Sequence, residues 1–327
     1  MPELNLLKAV NLSLRQEMKR DERVVVYGED VGYEGGVFRA TEGLQLEFGE
    51  NRCMDTPLAE SAIVGTAVGM AINGMIPVVE MQFGGFVYPA FNQIISHVAR
   101  MRNRSRGRYT LPMVIRFPYG GGIRALEHHS ESMEALFAHI PGIKVVIPST
   151  PYDAKGLLSS AIRSPDPVLF MEPKRIYRAF KQEVPEYDYQ IPLGKAKVEQ
   201  EGTDITLIAW GAMMQETRKA AAVLKEKGIS PEVIDLRTIS PYDSETLLRS
   251  VKKTGRVVIV HEEPRSYGTG SELVTMLTEK AFLYLEAPPA RVTGFSTIIP
   301  LPRGEQHYMP STERIVMKAL ETVQFLT

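Results

Sequence analysis

The chain alternates between two hydrophobic periods. Short runs of aliphatic and β-branched residues recur at 23–27 (RVVVY), 77–82 (PVVEMQ), 112–117 (PMVIRF), 144–147 (KVVI) and 167–171 (PVLFM). Runs of this length suit strands buried on both faces. Helix-length amphipathic stretches lie between them, so the spacing predicts crossover units and a mostly parallel sheet. The rhythm breaks over 172–203, where Pro173, Pro185 and Pro192 interrupt a stretch of mixed charge. It then resumes, with strands predicted at 204–210, 232–236, 256–261 and 290–294. Helices are predicted at 214–227, 244–253 and 271–285, and from 312 to about 325. The pattern therefore reads as α/β, with two doubly wound domains at 1–185 and 204–327 joined by a linker at 186–203.

Composition narrows the function. Hydrophobic residues make up 44% of 327, enough for two buried cores. A formal net charge of -1 argues against a nucleic-acid or anionic-membrane partner. Cys53 is the single cysteine, which excludes an internal disulfide and fits a reducing, cytoplasmic setting. The first residues mix Glu3 and Asn5 into an apolar pattern and read as a first helix, not a signal peptide. No stretch approaches the ~18 uninterrupted apolar residues that a membrane span requires.

Familiar nucleotide and hydrolase fingerprints are missing. There is no phosphate loop, no G-x-S-x-G elbow and no H-E-x-x-H pair. Gly268-Thr269-Gly270 follows a predicted strand but lacks a third glycine and reads as a plain turn. A doubly wound chain without these is short of a self-contained active site. Its chemistry then needs a partner or an unusual cofactor.

The stretch Asp55-Thr56-Pro57-Leu58-Ala59-Glu60 is the most informative. Thr56 suits a helix cap and Pro57 a first helical position. The following helix is apolar nearly all round, which predicts burial, and Gly65 and Gly69 would let another backbone approach at a subunit contact. Glu60 would sit in its first turn. A capping box would put its carboxylate at Ala59, so Glu60 is not the reciprocal cap. It is either a carboxylate favoured by the helix's positive end or a functional one. Phe86 follows Gly84-Gly85 after a strand and reads either as a core aromatic or as the wall of a site. Arg100, Arg102, Arg104, Arg106 and Arg108 alternate, which reads as a solvated or subunit-contacting helix end.

Several motifs occur in a specific order. They are Gly28-Glu29-Asp30-Val31-Gly32, Gly35-Gly36-Val37-Phe38, Asp55 to Glu60, Glu80-Met81-Gln82-Phe83, His129-Ser130, Pro141 to Val146, Pro148 to Gly156 and Asp235-Leu236-Arg237-Thr238. Together they resemble the beta subunit of the thiamine-diphosphate-dependent, decarboxylating component of 2-oxo acid dehydrogenase complexes. The resemblance runs from Leu4 to Pro310. It implies a transketolase-like pyrimidine-binding domain followed by a transketolase-like C-terminal domain.

It also implies a division of labour. An alpha subunit holds the diphosphate through Mg2+, and this chain holds the aminopyrimidine. Glu60 would hydrogen-bond a pyrimidine nitrogen, Phe86 would stack on the ring, and Leu58, Met81 and Gln82 would line the pocket. His129 would assist proton transfer when the acyl group passes to lipoamide, with His128 the weaker candidate. Carbonyls of Ala161 and Ile162 and the Asp166 side chain match a monovalent cation site, K+, although Ser164 stands where the family usually has Asp. The implied assembly is two alpha and two beta chains docked on a dihydrolipoyl acyltransferase core. The stretches at 86–91, 137–139 and 172–179 lean toward a branched-chain 2-oxo acid as substrate, and the stretch at 39–44 toward pyruvate. A flavin-carrying electron-transfer subunit is the alternative from another class.

Overall fold

The computed structural model describes residues 1–325 and divides into two compact units. The first comprises Met1–Tyr119 and Leu136–Leu193, and the second Gly120–Ala135 and Gly194–Thr327. The segment Gly120–Ala135 thus lies within the first half of the sequence but clusters with the second unit.

In the first unit the strands are β1 (Glu3–Leu4), β2 (Val24–Gly28), β3 (Cys53–Asp55), β4 (Ile76–Glu80), β5 (Val114–Tyr119), β6 (Lys144–Val146), β7 (Val168–Pro173) and β8 (Gln182–Glu183). Six of them form a parallel sheet in the order β6-β7-β5-β4-β2-β3. β1 and β8 form a separate antiparallel ribbon. Val24, Val26, Val78, Val79, Ile115 and Phe117 are all buried, as the unbroken apolar runs require. The helix Leu6–Arg20 starts at Asn5, whose side chain accepts from Lys8 N at 2.9 Å. It packs on the helix Pro151–Ile162, where Ser13 and Ser159 hydroxyls meet at 3.0 Å.

The second unit holds β9 (Lys197–Gln200), β10 (Ile205–Ala209), β11 (Pro231–Asp235), β12 (Thr238–Ser240), β13 (Val257–Val260) and β14 (Ala290–Val292). Five of these make a sheet in the order β14-β13-β10-β11-β9, parallel except for β9. The helices Met213–Glu226, Ser244–Thr254, Thr269–Ala281 and Thr312–Val323 follow the predicted rhythm. The linker expected at 186–203 and the irregular stretch before it contain two short strands, β8 and β9, which the prolines had masked. No helix among the described residues is long and apolar enough to cross a membrane.

One charged group lies deep in the first sheet. Arg116 on β5 is 1% exposed. Its Nε donates to Glu172 Oε1 at 2.6 Å and its Nη2 to Glu172 Oε2 at 2.9 Å, while Nη1 bonds Glu80. Tyr177 donates its hydroxyl to Glu172 Oε2 at 2.5 Å. Burial opposes the charged guanidinium, but Glu172 and Glu80 outweigh it and hold Arg116 above its ordinary value.

Removing one member of such a buried cluster leaves the others uncompensated. Arg116→Met leaves two carboxylates in a dry sheet and is expected to destabilise the chain by about 3–5 kcal/mol. A urea unfolding curve measures it, and a midpoint equal to wild type contradicts the prediction.

Candidate functional site

The order of the first sheet places a switch at β2. β3 lies on one side of it and β4 on the other, so the connections leaving these strands diverge. The crevice at the carboxyl ends beside such a point is where parallel sheets take ligands. Three loops meet there. Glu29 and Asp30 follow β2, Thr56 to Ala59 follow β3, and Met81 to Phe86 follow β4.

Local bonds hold these loops. Asp55 accepts from the backbone N–H groups of Gly32 at 2.6 Å and Tyr33 at 2.9 Å. Gln82 Nε2 donates to Asp30 Oδ2 at 2.9 Å. Phe38, Phe83 and Phe86 form an aromatic row, with ring centroids 5.4 and 5.6 Å apart in edge-on contacts. Phe38 continues to Tyr177 at 5.2 Å.

The helix carrying Glu60 differs from its sequence prediction. It spans Glu60–Ile72, and Ala59 is its cap, with no side-chain bond. Thr56 does not cap it, because Thr56 N still bonds Gly28 O at 3.0 Å, as a continuation of the β3 ladder. The Thr56 hydroxyl is buried without a hydrogen-bond partner. Glu60 is thus the first helical residue, at an end whose N–H groups are not capped by a side chain. It is half-buried rather than buried. Ser61, Ala62, Thr66 and Gly69 expose one face of this apolar helix, and nothing lies within 4 Å of a Cβ built at Gly69. Close by, Glu29 lies at the same mouth, a position that sequence reasoning did not single out. Burial, then Asp30 and Glu60, push its carboxyl above its ordinary value. The signal was the Glu-Asp pair directly after β2.

Of the predicted pocket residues, Met81 is buried, Gln82 and Phe86 are half-buried, and Leu58 is 71% exposed. Glu60 follows the carboxyl end of β3, and Met81, Gln82 and Phe86 that of β4, the two strands flanking β2. A carboxyl group and an aromatic ring at such a mouth suit a flat heteroaromatic ring with a polar edge.

Where a monovalent cation was expected, at Ala161, Ile162 and Asp166, the structure shows side-chain pairs around Asp166. Asp166 already pairs with Arg102, and Lys144 Nζ stands 3.6 Å from it and donates to Ser164 Oγ at 2.9 Å. Ala161 O accepts from Ser164 N at 3.2 Å. Arg102, one member of the arginine run, thus pairs with Asp166.

The second unit carries His128 and His129 on the segment Gly120–Ala135. His128 is exposed and in the left-handed region at φ +63°. His129 Nδ1 lies 3.0 Å from Glu127 O. A carbonyl only accepts, so Nδ1 carries the hydrogen and Nε2 is the basic nitrogen of the neutral ring.

Below this segment is a group of buried carboxyls. Trp210 Nε1 donates to Glu134 Oε1 at 3.1 Å. Glu263 accepts from Ala135 N at 2.7 Å and Thr269 N at 2.8 Å. His261 stacks on Trp210 with centroids 5.2 Å apart. Gly268 and Gly270 are more than a turn, since a Cβ at either would lie 2.9 or 2.5 Å from the His261 ring. Burial, then Arg291 and Arg265, lower His261 to about 3, so it stays neutral. Burial pushes Glu263 up to about 7. Burial, then Glu263 and Glu262, hold the Glu134 carboxyl well above its ordinary value.

This architecture matches known domains. Residues 3–179 match the transketolase pyrimidine-binding domain and residues 194–315 the transketolase C-terminal domain. The chain belongs to the beta subunits of the decarboxylating E1 component of 2-oxo acid dehydrogenase complexes, a family of oxidoreductase components. It is 61% identical over 312 residues to the pyruvate dehydrogenase E1 component subunit beta of Acholeplasma laidlawii, covering 95% of each chain. It is 51% identical to the protein of that name from Bacillus subtilis, over 99% of this chain and 100% of that one. The protein of the same name from Mycoplasma genitalium is 50% identical, over 96% of each. A solved structure described as a split gene transketolase, inactive beta4 tetramer, aligns with a TM-score of 0.81 at 22% identity. It covers 98% of this chain and 99% of its own, and shares the fold. The relatives' names favour pyruvate over the branched-chain substrate that local motifs had suggested.

The Glu134 carboxyl makes stability depend on pH. The unfolded chain releases this proton near 4.5, whereas the folded unit retains it to higher pH. The unfolded state then binds fewer protons, so stability falls as pH rises above the unfolded value. Glu134→Gln keeps an acceptor for Trp210 and does not titrate. It is expected to match wild type at about pH 4.5 and to exceed it increasingly toward about pH 8. Urea midpoints across that range measure the difference, and a constant difference refutes the assignment.

Proposed function

We propose that this chain is the beta half of a pyruvate dehydrogenase E1 enzyme, working with an alpha subunit that holds the diphosphate of thiamine diphosphate through Mg2+. The overall reaction is oxidative decarboxylation of pyruvate, with the acetyl group passed to a lipoyl-lysine of an acyltransferase core. The observation that carries this is the near full-length identity to proteins named pyruvate dehydrogenase E1 subunit beta. Residues 1–185 would serve as the pyrimidine-binding domain and 204–327 as the C-terminal domain. A cytoplasmic location follows from the same reading.

The cofactor, when bound, supplies the electron sink that lets carbon dioxide leave. This chain supplies orientation and proton control. Glu60, at the start of its helix, would hydrogen-bond a ring nitrogen of the aminopyrimidine and fix which nitrogen carries the proton. Phe86 would stack on the ring, backed by the row to Phe83 and Phe38. Met81, Gln82 and Leu58 would border it. His129 would hold or deliver a proton at Nε2 during acyl transfer.

Co-expression with the alpha chain tests both parts. Glu60→Gln is expected to assemble normally and lose decarboxylation by about 100-fold or more. Turnover equal to wild type removes the role of Glu60. Pyruvate is expected to exceed 3-methyl-2-oxobutanoate in kcat/KM, and the reverse order restores the branched-chain reading.

A further inference from the structure

The segment from Gly120 to Ala135 carries His129 and is held by three buried glutamates from elsewhere in its unit. Glu262 Oε2 accepts from Gly121 N at 2.7 Å. Glu305 accepts with both oxygens, from Gly122 N and Arg124 N, each at 2.8 Å. Glu263 Oε1 accepts from Ala135 N at 2.7 Å. Glu262, Glu263 and Glu305 are 2, 2 and 4% exposed. Gly120 N closes the loop on Glu131 O at 2.8 Å. The bonds to Gly121, Gly122 and Arg124 stand before His129 and the one to Ala135 after it. The tip between them is exposed at Leu126, Glu127 and His128.

The loop would not keep this shape unaided. Arg124 and His128 are non-glycine residues at φ +57° and +63°. Each such residue costs about 1–2 kcal/mol. Hydrogen bonds from backbone N–H to a carboxylate are among the stronger kinds, and here they seize the amide of Arg124 itself. The glycines make the approach possible. A Cβ at Gly120 would lie 2.8 Å from both Glu262 carboxylate oxygens, and one at Gly121 would lie 2.5 Å from Ile299 Cδ1. Loop shape then sets the ring, because His129 N bonds Leu126 O at 3.1 Å and Nδ1 bonds Glu127 O.

We propose that Glu305, seconded by Glu262 and Glu263, is a positioning residue for acyl transfer, acting through the loop backbone to aim His129 Nε2. This rests on the role given to His129 above. The carboxylates touch no reacting atom.

The test uses the assembled alpha–beta enzyme with a free lipoyl domain. Two rates are compared, reductive acetylation of that domain and pyruvate decarboxylation coupled to an artificial dye oxidant. Glu305→Gln keeps one acceptor but turns an N–H toward the second amide. It is expected to slow lipoyl acetylation by about 10-fold or more and dye-linked decarboxylation by less than about threefold. In His129→Ala the second change is expected to add nothing, since both act through one group. Equal losses in both assays, or additive losses in the double variant, mean general structural damage and overturn the proposal. If His129→Ala leaves lipoyl acetylation intact, the role of His129 falls and this proposal with it. If His129→Ala is impaired and Glu305→Gln is not, only the positioning role falls. Should Glu305→Gln fail to assemble, Glu262→Gln, which weakens the bond to Gly121, is expected to show the same split between assays.

Discussion

A guanidinium buried within a parallel sheet must be neutralised where it stands. In the first unit Glu80 and Glu172 do this for Arg116 from the strands on either side. The cluster ties the ends of β4 and β7 to the middle of β5. Its reach extends outward. A Cβ at Gly36, which has φ +79°, would come within 3.0 Å of Glu80 Oε1, so the loop after β2 closes down on the carboxylate. Tyr177, bonded to Glu172, begins the aromatic row through Phe38 and Phe83 to Phe86. An apolar trio of equal volume could make the sheet as stable. It could not fix the loops by directional bonds, and this is the better account of why charge is placed here.

The second unit uses carboxylates differently. Glu262, Glu263 and Glu305 accept backbone N–H groups. Desolvation shows in the raised carboxyl of Glu263 and in that of neighbouring Glu134. His261 acts in the opposite sense. It resists protonation as pH falls, whereas Glu134 and Glu263 resist ionisation as pH rises. Their linkage slopes therefore oppose one another between the ordinary carboxyl and imidazole values, and the unit is buffered against moderate acid.

Much of the fold was legible because apolar runs and amphipathic stretches alternate with little noise. β3 was not, since Cys53–Asp55 offers three residues and only Cys53 is buried. Its loss misled the reading of Thr56-Pro57. A threonine before a proline signals a helix start equally with a strand end, and the missing strand decides between them. The Arg116 cluster was invisible for another reason, since its members stand 36 and 56 residues apart. The second unit's hold on Gly120–Ala135 depends on glutamates up to 183 residues away. Ordered motifs did expose the family, because a family fixes order as well as composition. They did not decide the substrate, where a few side chains outside any bonded framework pointed in both directions between two similar acids.

The helix Glu60–Ile72 shows how these levels meet. Its sequence is apolar on every side, and burial was the natural inference. In this chain one face is instead open and built of Ser61, Ala62, Thr66 and Gly69. Small residues leave a flat track on which a second backbone can lie close. Glu60 stands at the head of that track, half-buried, with the N–H groups of an uncapped first turn behind it. A carboxylate in that position is only partly withdrawn from water by its own chain. Under the proposed function, the chain supplying the diphosphate would cover this face. Assembly would then complete the desolvation of Glu60, so the acid that controls the cofactor would reach its working environment only within the enzyme.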